Sequence, residues 1–505
     1  MTTETKKSSR AFSKLQPGRE RLLIPLKEGG DPLWALFFPA SYSVGMANLG
    51  LHLVVRMLKS LGVGVERFFG TSAPFFSMEN RRSLDSFPIV TASISYEADL
   101  LHFVKALVAG NVPLRWEDRM ASSRSLVGVG GALCGINPMA FAAMADFVVL
   151  GEGETVIPFL VEESRRFLRS GDRSSFWRAL ASSPAFFVPP VHVPLLRSGN
   201  AVTLMRSTVP DLNMFPGSSL WTTPESVFGE TFLLELQRGC FRKCSYCTLP
   251  VCYSKPRRRR METLLDFLET CPPDVARVGL VTPEAGDYDD LDALLNALAE
   301  RNKGVSFASL RVDNLTEGMI KALVKGGHTS ITVAPEAAND TLRRQCGKHF
   351  DNALLLRNLE MAKKTGIRKV KLYFMTGLPG ETDEDLRAIG DLVEIIQGKL
   401  RLDVVLSVNT FVPKPFTPWN AQPFVGEKEA KRRLQLVERS IRSVKGRGGC
   451  TFRPGSAREA VLEYTIAHLA CGDSERLLQW GERERAPFVA FLGTPSPELL
   501  PLTVL

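Results

Sequence analysis

The sequence predicts an α/β chain in two parts. A doubly wound parallel domain spans residues 33–170, a partial barrel of about six βα units spans 230–445, and a short helical C-terminal segment (446–505) follows. Three observations predict this class. Continuous apolar runs alternate with amphipathic helical stretches in both parts, as strands buried on both faces do. A proline-containing segment, 171–229, separates the two series. The second series is the more regular, and three cysteines stand just after its first strand.

Length and composition agree with that division. A chain of 505 residues exceeds one ordinary core, so two or three domains are expected. Its 44% hydrophobic and 23% charged residues are those of a globular protein. Residues 1–32 read as a flexible basic segment without the apolar stretch of a signal peptide. No run of about 18 apolar residues predicts a membrane span. The expected location is cytoplasmic and reducing, where cysteines remain thiols or metal ligands. The net charge of +9 is concentrated in "KPRRRR" (255–260) and in 428–449. Without interleaved aromatics these runs read as solvated faces, with a nucleic-acid surface the less favoured reading.

In the first domain the expected strands are "LWALFF" (33–38), "PIVTASIS" (88–95), "LVGVGG" (126–131) and "DFVVLG" (146–151). Ligands of such sheets lie beyond the strands' carboxyl ends. The loops there are 39–48, 95–99, 130–138 and "GEGE" (151–154). Gly130, Gly131, Gly151 and Gly153 are therefore candidate points of close backbone approach to a ligand. Segment 171–229 reads as a linker with a hairpin around "SGN" (198–200).

The second domain's expected strands are "TFLLELQ" (231–237), "ARVGLVT" (276–282), "VSFASL" (305–310), "TSITVA" (329–334), "KVKLYFM" (369–375) and "VVLSVNTF" (404–411), each followed by a helical pattern. Barrels carry their chemistry at the carboxyl ends of the strands. "RGCFRKCSYC" (238–247) begins there, with Cys240, Cys244 and Cys247 spaced C-x3-C-x2-C. A structural zinc site wants four ligands, and a disulfide framework an even count in a short secreted chain. Three thiolates can instead hold three irons of a [4Fe–4S] cluster and leave the fourth open. Cys134, Cys252, Cys271, Cys346, Cys450 and Cys471 form no close cluster and read as buried thiols.

"RGCFRKCSYC" after the first strand of a six-unit βα barrel resembles the radical S-adenosylmethionine (SAM) superfamily, over roughly residues 230–445. The resemblance implies that SAM chelates the open iron and, on reduction by a donor such as flavodoxin or ferredoxin, yields methionine and a 5′-deoxyadenosyl radical. It implies Tyr246 as the aromatic residue near adenine. Glu284, in "TPEAGDY", is the candidate for the SAM amino group, though relatives carry Gly-Gly-Glu there. Glu336 is the candidate for the ribose hydroxyls, and Lys348, with Arg343 as competitor, for the SAM carboxylate. Gly377 lies in "MTGLPGET" (375–382), which resembles the adenine-side loop of methylthiotransferase-like members, although Glu381 there also reads as helix capping.

"GVGGALCGINPMAFAAMADFVVLGEGETVIPFL" (128–160) resembles the cobalamin (B12)-binding, Rossmann-like domains that precede some radical SAM domains. The D-x-H-x-x-G motif is absent and His52 lies in an apolar helical pattern, so the expectation is cobalamin without a protein histidine ligand. The expected function is cobalamin-dependent methyl transfer to an unactivated carbon. One alternative is a cobalamin-independent rearrangement, oxidation or thiolation; the other is an RNA-binding or assembly protein with a structural cluster.

Overall fold

Alternation along the first apolar strand explains how the N-terminal sheet is covered. In β1 (Leu33–Phe38), Ala35 and Phe37 join one core with Phe103, Val104 and Leu107 of helix Glu97–Ala109. Trp34, Leu36 and Phe38 face the other way, onto Leu51, Val55 and Leu58 of helix Leu49–Ser60 and Leu160 and Val161 of helix Ile157–Ser170. Period-two alternation with both sets apolar is what a sheet covered on two faces requires.

The computed structural model describes residues 19–122, 125–253, 255–442, 444, 449–483 and 502–505. Around β1 stand β2 (Gly64–Phe69), β3 (Ile89–Ser93), β4 (Leu126–Gly130), β5 (Phe147–Val149) and β6 (Phe186–Phe187). The sheet order is β2-β1-β3-β4-β5-β6, parallel except for β6, which runs antiparallel on β5. Strand order reverses between β1 and β3, which opens a crevice at their carboxyl ends.

The second domain has β7 (Phe232–Glu235), β8 (Arg277–Val281) and β9 (Gly304–Ser306) in one parallel sheet. A second parallel sheet holds β10 (Ser330–Glu336), β11 (Lys369–Thr376), β12 (Asp403–Thr410) and β13 (Cys450–Pro454). The bridge Leu310–Val333 links the two sheets. Val278, Val333, Val370, Leu372, Leu406 and Val408 point outward into one core beneath the helices.

Several expectations are corrected. The 446–505 segment is not only helical. Cys450–Pro454 extends the barrel sheet, and Leu502–Val504 pairs in parallel with Val202–Leu204. Its helices, Ala457–Ala467 and Cys471–Arg483, put Ile466, Leu477, Leu478 and Trp480 into the first domain's core. Asn137 fixes the joint by donating to the Ile466 and Leu469 carbonyls at 3.2 and 3.0 Å. The hairpin at 198–200 is absent, because Pro189 and Pro190 open a helix that runs to Arg197. Residues 1–18 lie outside the described residues, while the start of 19–32 is tied to the rest of the chain. Arg21–Leu22 pairs with Trp221–Thr222, and Glu20 accepts from Tyr42 and Arg67 at 2.7 and 2.8 Å.

Candidate functional site

The cysteine loop is pinned at its entry. Gln237–Arg238 pairs antiparallel with Arg257–Arg258, and Gly239 (φ +77°) turns so tightly that a Cβ would meet the Lys255 carbonyl oxygen at 3.0 Å. Beyond it Cys244 is buried and Cys240 and Cys247 are half-buried, all three as free thiols. The Arg242 backbone N–H donates to Cys240 Sγ at 3.4 Å, and Arg311 Nη1 approaches Cys244 Sγ at 3.7 Å. Burial pushes the Cys247 thiol up to about 11, so ligation must displace its proton. Among the described residues no three Cys, His, Asp or Glu side chains form a ready metal site. The donor set still fits a cluster with three protein ligands: three thiols on one loop, two of them facing N–H donors.

Against this loop packs segment 345–348. Ser245 N–H donates to the Cys346 carbonyl at 3.1 Å. Gly347 (φ +85°) approaches so closely that a Cβ would lie 2.9 Å from Cys244 Cα. This contact was invisible in the sequence, where only the lone glycine hinted at it.

Three of the expected SAM-side residues come together. The Tyr246 hydroxyl and Lys348 Nζ both donate to Glu336 Oε1, at 2.7 and 2.6 Å. Glu336 ends β10 at φ +66°, next to a break in register with β11. A non-glycine residue held there marks strain of the kind that gathers at functional sites.

Glu284 is 2% exposed. Its Oε1 accepts from Gly286 N–H at 3.0 Å, while Oε2 has no partner among the described residues. Burial pushes its carboxyl up to about 7. An orphaned buried oxygen of this kind suits an incoming amino group.

Arg343 is a correction. It is fully buried, donates to the Ala337, Ala338 and Phe350 carbonyls and pairs with Asp340 at 2.6 Å, so its guanidinium is committed to holding its own turn. Gly377 (φ +81°) donates its N–H to Glu381 at 2.7 Å, and Arg433 pairs with the same carboxylate at 2.6 Å. That loop is closed by Glu381, whereas Thr382 caps the following helix.

The first domain's glycines line a cavity of about 470 Å³ at the carboxyl edge of its sheet. Gly130, Gly131, Gly151 and Gly153 stand on one side, and Glu235, Arg238, Tyr253 and Val281 of the barrel domain on the other. The four glycines differ. A Cβ on Gly130 would meet nothing nearer than Val149 at 3.8 Å, so it faces open space, and on Gly153 it would touch Ile157 at 3.0 Å. On Gly131 (φ +106°) and Gly151 (φ +84°) it would strike the backbone oxygens of Ile94 at 2.5 Å and Ser207 at 2.3 Å. Those two serve the fold's own packing before any ligand. His52 is not a cavity residue. It is buried, accepts from Leu220 N–H through Nδ1 at 3.2 Å, and burial lowers its pKa to about 3.

Sequence reading missed the charge network that joins the two domains. Arg238, two residues before Cys240, reaches Glu154 at 2.8 Å, Glu152 at 3.3 Å and Glu235 at 3.0 Å. Arg257 pairs with Glu152, and Arg259 with Glu235 at 2.5 Å. Burial pushes the Glu235 carboxyl up, but Arg238 and Arg259 hold it below its ordinary value. "KPRRRR" is thus not a uniform solvated face: Lys255 and Arg260 are exposed, but the arginines between them are engaged in ion pairs. Arg259 is buried, Arg257 is half-buried in its pair with Glu152, and Arg258 pairs with Asp289 at 2.6 Å. The second basic run behaves as expected of a helix surface, with Arg432 and Arg433 paired to Glu429, although residues 445–448 lie outside the described residues.

Comparison with known proteins finds similarity in both parts of the chain. Residues 234–393 match the radical SAM superfamily, and residues 65–189 match the family described as radical SAM proteins, N-terminal. An uncharacterized protein of Methanocaldococcus jannaschii is 27% identical over 414 residues, 81% of this chain and 83% of that protein. The ribosomal protein uS12 methylthiotransferase of Clostridium kluyveri is 24% identical over 37% of this chain and 44% of its own length. In fold, the chain is similar to TsrM of Kitasatospora setae, a radical S-adenosylmethionine methyltransferase solved with cobalamin and a [4Fe–4S] cluster (TM-score 0.50, 15% identity, 76% of each chain). It is also similar to OxsB, a cobalamin-dependent S-adenosylmethionine radical enzyme solved with aqua-cobalamin and S-adenosylmethionine (TM-score 0.52, 15% identity, 90% of this chain and 61% of that one). No helix among the described residues is long and apolar enough to cross a membrane. The chain therefore carries a radical SAM superfamily domain at residues 234–393, preceded at 65–189 by the N-terminal domain of radical SAM proteins, and shares its fold with TsrM and OxsB.

Proposed function

We propose that this radical SAM protein holds cobalamin in its interdomain cavity and transfers a methyl group to an unactivated carbon. The observation that supports this most is the cavity itself, which the glycine loops and the first barrel strand enclose together, with Arg238 leading from its wall into the cysteine loop. Bound together, the cluster with SAM and cobalamin supply a radical initiator and a methyl carrier.

The chain's own part is to bind and orient. Cys240, Cys244 and Cys247 would ligate the cluster. Glu284 would receive the SAM amino group on its unpartnered oxygen. Lys348 and Glu336 would meet the SAM carboxylate and ribose, with Tyr246 fixing Glu336 between them. Apolar lining from Trp34, Leu36, Leu53 and Val129 would exclude water from a large ligand's buried arm. No histidine lines the cavity among the described residues, so its lining would offer a bound cobalamin no imidazole. The cytoplasm and a flavodoxin- or ferredoxin-type donor complete the reading.

Uptake of hydroxocobalamin by the cluster-loaded protein tests it. Gly130→Phe should fill the cavity and abolish uptake with the fold retained, because the glycine's Cβ direction is open. Uptake equal to wild type would remove the cavity from the account. The second reading is thiolation without cobalamin, favoured by the methylthiotransferase relatives. A wild-type protein that takes up no cobalamin would select it.

A further inference from the structure

The inner face of the barrel sheet carries a pattern that the cofactor site does not use. On β10 to β12 the outward residues Ile331, Val333, Val370, Leu372, Leu406 and Val408 fill the core. Alternation then sends Thr332, Lys371, Tyr373, Ser407 and Asn409 to the opposite, inner face. On the edge strand β13, Phe452 packs against the same core, which places Arg453 inside. The register puts Tyr373 beside Ser407 and Ser407 beside Arg453, one rung across three strands. Lys371 stands one rung nearer the amino ends, opposite Val405.

The charges on this face do not cancel locally. Among the described residues neither Lys371 nor Arg453 is in an ion pair. Lys371 Nζ lies over the Tyr373 ring at 4.6 Å, and Arg453 is exposed. The carboxylates on the same face lie at its two ends. Glu336, at the carboxyl end, is held by Lys348, and Asp403, at the amino end, accepts from Gly449 N–H at 3.1 Å. With strands about 4.8 Å apart, two long cationic side chains two strands apart reach a common point above Ser407. A concave face lined by one sign of charge concentrates counter-ions, and hydroxyl neighbours complete an oxyanion's hydrogen bonds.

We propose that this rung binds an anionic group of the substrate, a carboxylate or a phosphate, between Lys371 and Arg453. Tyr373 and Ser407 would donate to its oxygens. The inference deepens the radical SAM reading, on which it rests for calling the ligand a substrate. It orients the rest of that substrate along the inner face toward the mouth where Glu336 and the cysteine loop stand.

The test is titration of the full-length, cluster-loaded protein with inorganic phosphate and, in parallel, acetate. Affinity is read by calorimetry and by 31P line width. Lys371→Gln/Arg453→Gln should weaken the binding at least about tenfold, the scale of lost charge-assisted contacts. Lys371→Arg/Arg453→Lys should keep it, which separates charge from fold. Preference for phosphate or for acetate names the group. Unchanged affinity for both anions in the Gln variant overturns the proposal. So does a parallel loss of SAM affinity, since the anion bound would then be SAM's own carboxylate. The wild type's 5′-deoxyadenosine production, assayed separately, tests the radical SAM reading. If that fails while the Gln variant still loses its anion, the binding site stands and the radical reading falls.

Discussion

Replacing Arg238 by Met should be among the most damaging single changes outside the hydrophobic cores, and the structure sets the size. The side chain serves Glu154 at 2.8 Å, Glu152 at 3.3 Å and Glu235 at 3.0 Å, all in a nearly dry interface. Removing one partner of a buried ion pair costs about 3–5 kcal/mol, because the other charge is left uncompensated. Here Glu152 keeps Arg257 and Glu235 keeps Arg259, while Glu154 loses its cation. The loss should therefore sit at the lower end, about 3 kcal/mol. Adding Glu154→Gln should recover about half of it, since the stranded charge is then gone. Urea unfolding followed by tryptophan fluorescence, fitted with separate domain transitions, measures both variants. An Arg238→Met protein within about 0.5 kcal/mol of wild type would refute the network's role, as would a double variant no better than the single.

Other residues give further expectations. Glu284 has a folded pKa near 7 against an ordinary value of 4.5, so the native state holds a proton that the unfolded state releases. Stability from this group is full below pH 4.5 and is lost as pH rises to about 7. Glu284→Gln should therefore gain up to about 3 kcal/mol over wild type across that window and lose SAM affinity; parallel pH–stability profiles would contradict this. Gly347→Ala forces a Cβ to 2.9 Å from Cys244 Cα at φ +85°, so reconstituted iron should fall sharply while circular dichroism stays native. Full iron loading would show that the contact does not shape the loop. Arg343→Gln should destabilise the barrel domain by several kcal/mol through the carbonyls and Asp340 it abandons, with SAM affinity in the folded fraction unchanged. A selective loss of SAM binding would restore it as a ligand.

The α/β class was legible because the strands are continuous apolar runs, and six of the barrel strands overlap the segments read from the sequence. The seventh, "CTFRP", was not. It lies at the sheet edge with Thr451 and Arg453 exposed, so its apolar pattern is too thin to mark a strand. The strand Gly64–Phe69 was also missed, since Glu66 and Arg67 interrupt it and become tolerable only when Asn80, Glu20 and Glu79 meet them in three dimensions. The same reason hid the role of "KPRRRR". A run of arginines shows its charge in the sequence, but not that Glu152 and Glu235 wait in a neighbouring domain. The C-terminal segment reads as helical without individual helix bounds, and nothing local says that helices 457–467 and 471–483 complete the first domain's core. In the site, spacing alone picked out the cysteines, and Tyr246, Glu336 and Lys348 came from resemblance and do meet. Arg343 was indistinguishable from Lys348 until its carbonyl partners were seen.

The central claim is tested most directly by quantifying SAM products from anaerobically reconstituted, reduced protein, with and without bound cobalamin. The account predicts 5′-deoxyadenosine from the cluster-loaded protein and none from the Cys240→Ala/Cys244→Ala/Cys247→Ala variant. It predicts S-adenosylhomocysteine only when cobalamin is bound. No 5′-deoxyadenosine from protein carrying a full cluster would contradict the radical chemistry, and S-adenosylhomocysteine independent of cobalamin would contradict its proposed use.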